Sequence, residues 1–128
     1  MSAVKEPEPG PRGDVLIVDD DDDILAMVAM HIEDNGFPVR TARNGQEALD
    51  AIRERMPRLV LLDLKMPVMN GWDFIRRFRE LYQHATPIVV MSAIDAVGRR
   101  AADLGAEDWL AKPFEATALT EMVRRYAA

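Results

Sequence analysis

Val15-Leu16-Ile17-Val18-Asp19-Asp20-Asp21-Asp22-Asp23 sets four branched apolar residues directly against five consecutive carboxylates. Four residues are too few for a helix, and apolarity without alternation predicts a strand buried on both faces. Strands of that kind belong to parallel sheets covered by helices on either side. The same signature recurs in Arg58-Leu59-Val60-Leu61-Leu62-Asp63, which again runs into a carboxylate, and in Pro87-Ile88-Val89-Val90-Met91.

Helical patterns fill the intervals. Ile24, Leu25, Val28 and Ile32 share one face, and Asn35-Gly36 supplies a stop. Phe37 to Ala42 predicts a second strand; Pro38 cannot donate to a ladder, so that strand belongs at the sheet edge. Asn44 caps the next helix, with Glu47 completing a capping-box-like pair and Ala48, Leu49, Ile52 and Met56 forming its inner face. Phe74, Ile75, Phe78, Leu81 and Tyr82 mark a third helix. Val97, Ala101 and Leu104 mark a fourth, ending at Gly105, and Leu119, Met122, Val123 and Tyr126 mark a fifth. Trp109 to Lys112 makes a short fifth strand. Five βα units predict an α/β fold, a doubly wound five-stranded parallel sheet of flavodoxin-like order 2-1-3-4-5. In that order ligands bind at the carboxyl ends of the strands, beside the switch between strands 1 and 3.

The 128 residues suit one domain, expected over 14–128 behind a Pro/Glu-rich, disordered tail at 1–13. With no cysteine, thiol nucleophiles, disulfides and zinc–thiolate sites are excluded. A net charge of −6 makes direct nucleic-acid binding by this segment a poor expectation. No apolar run approaches a membrane span and the N-terminus shows no secretory pattern, so the expected location is cytoplasmic, with no membrane partner.

Strand 1 ends in Asp19-Asp20 and strand 3 in Asp63, so the predicted topology gathers three carboxylates. They repel one another unless protons or a cation intervene, and hard oxygen ligands that retain water suit Mg²⁺. Asp21, Asp22 and Asp23 read more simply as the cap and first turn of a helix. Strand 4 ends in Met91-Ser92-Ala93, offering a hydroxyl, and strand 5 in Lys112-Pro113-Phe114, offering an ammonium ahead of a peptide bond open to the cis form. Taken singly, Ser92 reads as a turn hydroxyl and Lys112 as surface charge. An EF-hand beginning at Asp19 fails, because Ile24 and Met30 stand where glycine and glutamate are needed.

These stretches, with Leu64-Lys65-Met66-Pro67 after the third strand and Met69-Asn70-Gly71 before the third helix, resemble the receiver domains of two-component response regulators over roughly Asp14 to Tyr126. The resemblance implies that Asp63 accepts a phosphoryl group from a histidine kinase or phosphotransfer protein. It implies Mg²⁺ held by Asp20, Asp63 and the Lys65 backbone carbonyl, with Asp19 acting through water. Lys112, the Ser92 hydroxyl and the Ala93 N–H would meet phosphoryl oxygens. Ser92 and an aromatic at Trp109 would form the switch, altering the surface of the fourth helix, fifth strand and fifth helix. That surface would meet a downstream partner, an output domain or a second copy of the chain.

Where the family usually has Tyr or Phe, this chain has Trp109, a bulkier side chain with only an indole N–H donor; a half-buried packing role is the competing expectation. Ile94 is expected to shield the acyl phosphate and Lys65 to add charge at its mouth. Arg99, Arg100, Arg124 and Arg125 form either a partner surface or a plain solvated face. The expected protein is a phosphoacceptor switch rather than an enzyme. Its alternatives are a docking module that binds without phosphotransfer and, less favoured, a small Mg²⁺-dependent phosphatase of the dehalogenase type.

Overall fold

In a computed structural model, residues 14–64, 70–93 and 105–127 are described, the side chains of Ser92 and Ala93 excepted. The strands are β1 (Val15–Val18), β2 (Val39–Ala42), β3 (Leu59–Asp63), β4 (Ile88–Ala93) and β5 (Asp108–Lys112). The helices are α1 (Asp22–Asp34), α2 (Gly45–Glu54), α3 (Gly71–Tyr82) and α4 (Ala116–Ala127). All neighbouring strands pair in parallel, in the order β2-β1-β3-β4-β5. The expected sheet is therefore present, with the Pro38 segment leading into an edge strand. The helix expected around Val97, Ala101 and Leu104 lies outside the described residues, as do the tail, Lys65, Ile94, Arg99 and Arg100.

Alternation along the strands divides the core into two layers. Leu16, Val18, Val60, Leu62, Ile88 and Val90 pack with Phe74, Ile75 and Phe78 of α3 and Ala48, Leu49 and Ile52 of α2. Val15, Ile17, Leu59, Leu61, Val89, Met91 and Leu110 pack instead with Leu25, Val28 and Ile32 of α1 and Leu119, Val123 and Ala127 of α4. Burying both faces of β1 and β3 completely explains why their sequences carry no polar alternation. Each such Leu, Ile or Val contributes about 2 kcal/mol by leaving water.

The caps follow from local chemistry, with two departures from expectation. Asp21 is the N-cap of α1 and its carboxylate accepts from the Asp23 and Ile24 N–H groups. Asn44 caps α2 through the Glu47 N–H, 2.9 Å away. The return bond differs from a capping box: Glu47 accepts from the Arg43 N–H at 3.2 Å, one residue before the cap. Met56 is buried but is not on α2, because the extended C-cap Arg55 ends that helix first. Gly36 after α1 has φ 92°, the left-handed geometry a helix stop demands. No helix among the described residues is long and apolar enough to cross a membrane.

Candidate functional site: a carboxylate cluster at the carboxyl edge

The carboxyl ends of β1 and β3 lie side by side, since Val18 pairs with Leu62. Asp63 is the last residue of β3, and Asp19 and Asp20 immediately follow β1. Carboxylate oxygens of Asp19, Asp20 and Asp63 come within 4.8 Å of one another. Asp19 is 1 % exposed and Asp63 8 %, whereas Asp20 faces solvent. Two of the three negative charges are thus largely removed from water, which makes their mutual repulsion costly.

Lys112, the last residue of β5, reaches across to this cluster. Its Nζ donates to Asp19 Oδ2 at 3.0 Å and lies 3.9 Å from Asp63 Oδ1. The ammonium therefore favours Asp19 and stands only within ion-pair range of Asp63. The second oxygen of Asp19, Oδ1, accepts the Asp21 N–H at 3.0 Å. Both Asp19 oxygens are held, one by β5 and one by the turn into α1. One ammonium against three carboxylates leaves a net negative charge among the described groups, and an oxygen-only donor set with an exposed member fits a hard divalent cation.

Sequence reasoning brought Asp19, Asp20, Asp63 and Lys112 together, and the structure does the same. Ser92 lies in β4 one residue beyond Met91, the partner of Asp63, and its own partner is Ala111 beside Lys112. Its backbone thus sits at the right edge. The Lys65 carbonyl and Ile94 fall outside the described residues. Trp109 is 47 % exposed, so about half of its surface is covered, as the half-buried packing reading expects. Lys112-Pro113 is a cis peptide bond.

Two contributors escaped the sequence reading. Gly71 opens α3 so close to β3 that a Cβ there would lie 2.6 Å from Leu64 Cα and 2.8 Å from the Asp63 carbonyl oxygen. Its N–H also donates to the Leu64 carbonyl at 2.9 Å. Its requirement is close approach, and Asn70-Gly71 carried it in the sequence only as a turn signal. The other is the Asp21 backbone, whose role in orienting Asp19 was hidden inside a run of five identical residues.

Comparison with known proteins agrees. The profile of the response regulator receiver domain matches residues 15–124. The transcriptional regulatory protein PrrA of Mycobacterium tuberculosis is 40 % identical over 116 residues, covering 89 % of this chain and 48 % of PrrA. An uncharacterized transcriptional regulatory protein of Bacillus subtilis, YkoG, is 35 % identical over 115 residues, covering 88 % of this chain and 50 % of its own. The chain thus spans about half the length of the curated relatives it matches. Their names narrow the expectation of no nucleic-acid binding to this segment; it does not extend to a longer protein containing it. Among solved structures, a response regulator from Chloroflexus aurantiacus superposes with a TM-score of 0.85 at 31 % identity, covering 90 % of this chain and 97 % of that one. A chemotaxis response regulator of Vibrio cholerae gives 0.82 at 32 % identity, covering 89 % and 98 %. The chain belongs to the response regulator receiver domain family.

Proposed function

We propose that the chain is a phosphoacceptor switch in which Asp63 takes a phosphoryl group from the phosphohistidine of a kinase or phosphotransfer protein. The observation that carries this reading is the convergence of Asp19, Asp20, Asp63 and Lys112 at one sheet edge. In the transfer a carboxylate oxygen of Asp63 bonds to phosphorus as the phosphorus–nitrogen bond breaks, and the leaving imidazole keeps its electron pair and takes a proton.

Asp20 and Asp63 would hold Mg²⁺ directly, with the Lys65 carbonyl. Asp19, both of whose oxygens are engaged, would act through water. When bound, Mg²⁺ supplies charge neutralisation to the carboxylates and to the phosphoryl oxygens. Lys112 sits within reach of both Asp19 and Asp63, so a small swing carries its ammonium from the first carboxylate to a phosphoryl oxygen on the second. The Ser92 hydroxyl and the Ala93 N–H would take others. The residues position and neutralise.

The output would be a population shift of the surface that includes β5 and α4, with Ser92 and Trp109, the latter 47 % exposed, as its switch elements. That surface would contact a partner protein, an output domain or a second copy, in the cytoplasm. The test is intact mass after incubation with acetyl phosphate, with and without Mg²⁺, beside Asp63→Asn. A single Mg²⁺-dependent phosphoryl adduct, absent from the variant, is expected. A folded wild-type protein that gains no adduct from this donor or from a kinase would overturn the reading in favour of a docking module.

A further inference from the structure

We infer that Arg79 is a positioning residue for Lys112, acting through Glu107 and the register of β5; the inference deepens the phosphoacceptor reading and rests on it. Among the described residues, strand β5 is at the sheet edge and pairs with β4 alone, so no second described strand fixes its register. A slip of one residue would send every β5 side chain to the opposite face and take Lys112 away from Asp19 and Asp63.

The register is pinned at the far end of the strand. The Glu107 N–H donates to the Ile88 carbonyl at 2.9 Å, and the Ile88 N–H donates back to Glu107 Oε2 at 2.6 Å. This closed pair joins the residue before β5 to the first residue of β4. From it follow the pairings Val89 with Asp108 and Ala93 with Lys112. The Glu107 carboxylate can hold the Ile88 N–H only while its own side chain is fixed.

Arg79, on α3, fixes it. Its Nη2 lies 2.7 and 2.9 Å from the two Glu107 oxygens and 2.6 Å from the Gly105 carbonyl, which Nε also meets at 3.1 Å. Nη1 donates to the Gln83 carbonyl at 2.7 Å and the Thr86 carbonyl at 3.3 Å. One planar guanidinium thus joins the end of α3, the approach to β4 and the approach to β5, while resting against the Phe78 ring at 5.3 Å. A lysine has neither the fork nor the number of directed donors to do this. Asp108 is also anchored, by the Tyr126 hydroxyl at 2.9 Å and Arg125 at 3.4 Å, but those bonds tie β5 to α4 and leave its alignment with β4 to Glu107.

The experiment compares the full chain with Arg79→Met and Arg79→Lys by amide hydrogen exchange and by the rate at which Lys112 is acylated relative to Lys5. Arg79→Met is expected to raise exchange at Ile88, Glu107 and the β5 amides on the order of tenfold while β1 and β3 amides change little. Lys112 labelling rises in parallel, and Arg79→Lys restores only part of the protection. A uniform rise through all strands, or no change at β5 and Lys112, would overturn the proposal. If Arg79→Met does not fold, Glu107→Gln gives the same comparison, since it keeps an acceptor for Ile88 but weakens the guanidinium pair.

Phosphorylation by acetyl phosphate supplies the functional arm. Where the wild type is phosphorylated, Arg79→Met must lose rate on the order of tenfold at saturating donor and Mg²⁺; a full rate beside a displaced Lys112 overturns the positioning role. Where the wild type gains no phosphoryl group from acetyl phosphate or from a kinase, the phosphoacceptor reading fails, and exchange and labelling still decide the link from Arg79 to Lys112.

Discussion

At the amino end of the sheet Asp14 is met by Arg40 at 2.7 Å and Arg55 at 3.3 Å, and Glu107 by Arg79 at 2.7 Å. At the carboxyl end Asp19, Asp20 and Asp63 share, among the described residues, the single ammonium of Lys112. The first arrangement spends cations on holding strands together. Arg40 joins Asp14 at the start of β1 to the Ala51 and Arg55 carbonyls at the end of α2, clamping the β2 edge much as Arg79 clamps the β5 edge. The second gathers, among the described residues, more negative than positive charge, which suits a site that binds a cation. Charge balance therefore separates the structural end of this sheet from its chemical end.

The sharpest way to break the contrast is to unbalance the amino end. Asp14 is buried, so Asp14→Ala would leave the Arg40 guanidinium with two carbonyls and no counter-charge. A loss of about 3 kcal/mol is expected, at the low end for a broken buried pair because those carbonyls remain. It would be read as a lower urea midpoint at an unchanged denaturant slope. A change within the range of ordinary surface substitutions would show that the clamp does not hold the edge.

Next comes the backbone that carries Asp63. Gly71→Ala places a methyl against Leu64 Cα and the Asp63 carbonyl, and backbone on both sides must move. The expected cost is about 2 kcal/mol. Mg²⁺ affinity should weaken with it, measured by calorimetric titration. Unchanged affinity in a destabilised variant would confine Gly71 to packing.

Much of this was legible in the sequence, for reasons that differ by residue. Val15–Val18 and Leu59–Leu62 are buried on both faces, so their composition alone announces a parallel sheet, and the order of the sheet then gathers Asp19, Asp20, Asp63 and Lys112. Pro38 marked an edge because a missing N–H is a local fact. Arg79 and Arg40 were not legible. Each makes its bonds to backbone carbonyls and to acids tens of positions away, and an arginine on a helix or edge strand looks in sequence like any solvated charge. Met56 was placed on α2 because apolar periodicity continues past a helix that Arg55 has already ended.

At the carboxyl end the contrast predicts the opposite sign. Asp20→Asn removes one member of the repelling trio without breaking either bond of Asp19. The variant should be slightly more stable than the wild type in a chelating buffer, by less than about 1 kcal/mol given the exposure of Asp20. Saturating Mg²⁺ should erase or reverse that gain, because the wild type then acquires a stabilising ligand that the variant holds less well. Thermal midpoints with and without Mg²⁺ measure it. A variant that is less stable in both buffers would mean the cluster is not strained, and the distinction between the two ends would lose its basis.

The smallest expected effect returns to the structural end, at the start of β5. Burial, and then the hydrogen bond it donates to Asp108, raise the Tyr126 hydroxyl above the usual tyrosine value of 10.0. Between the unfolded and folded values the unfolded chain has released the proton that the folded chain retains, so stability falls as pH rises. The contribution is complete below the unfolded value and is lost as pH passes through the folded one. Tyr126→Phe, which lacks both hydroxyl and titration, should therefore be less stable than the wild type at pH 9 and approach it at pH 11. Urea midpoints of the two proteins at those pH values check this. A gap of constant size would show that Asp108 is anchored without help from that proton, leaving the alignment of β5 to Glu107 and Arg79.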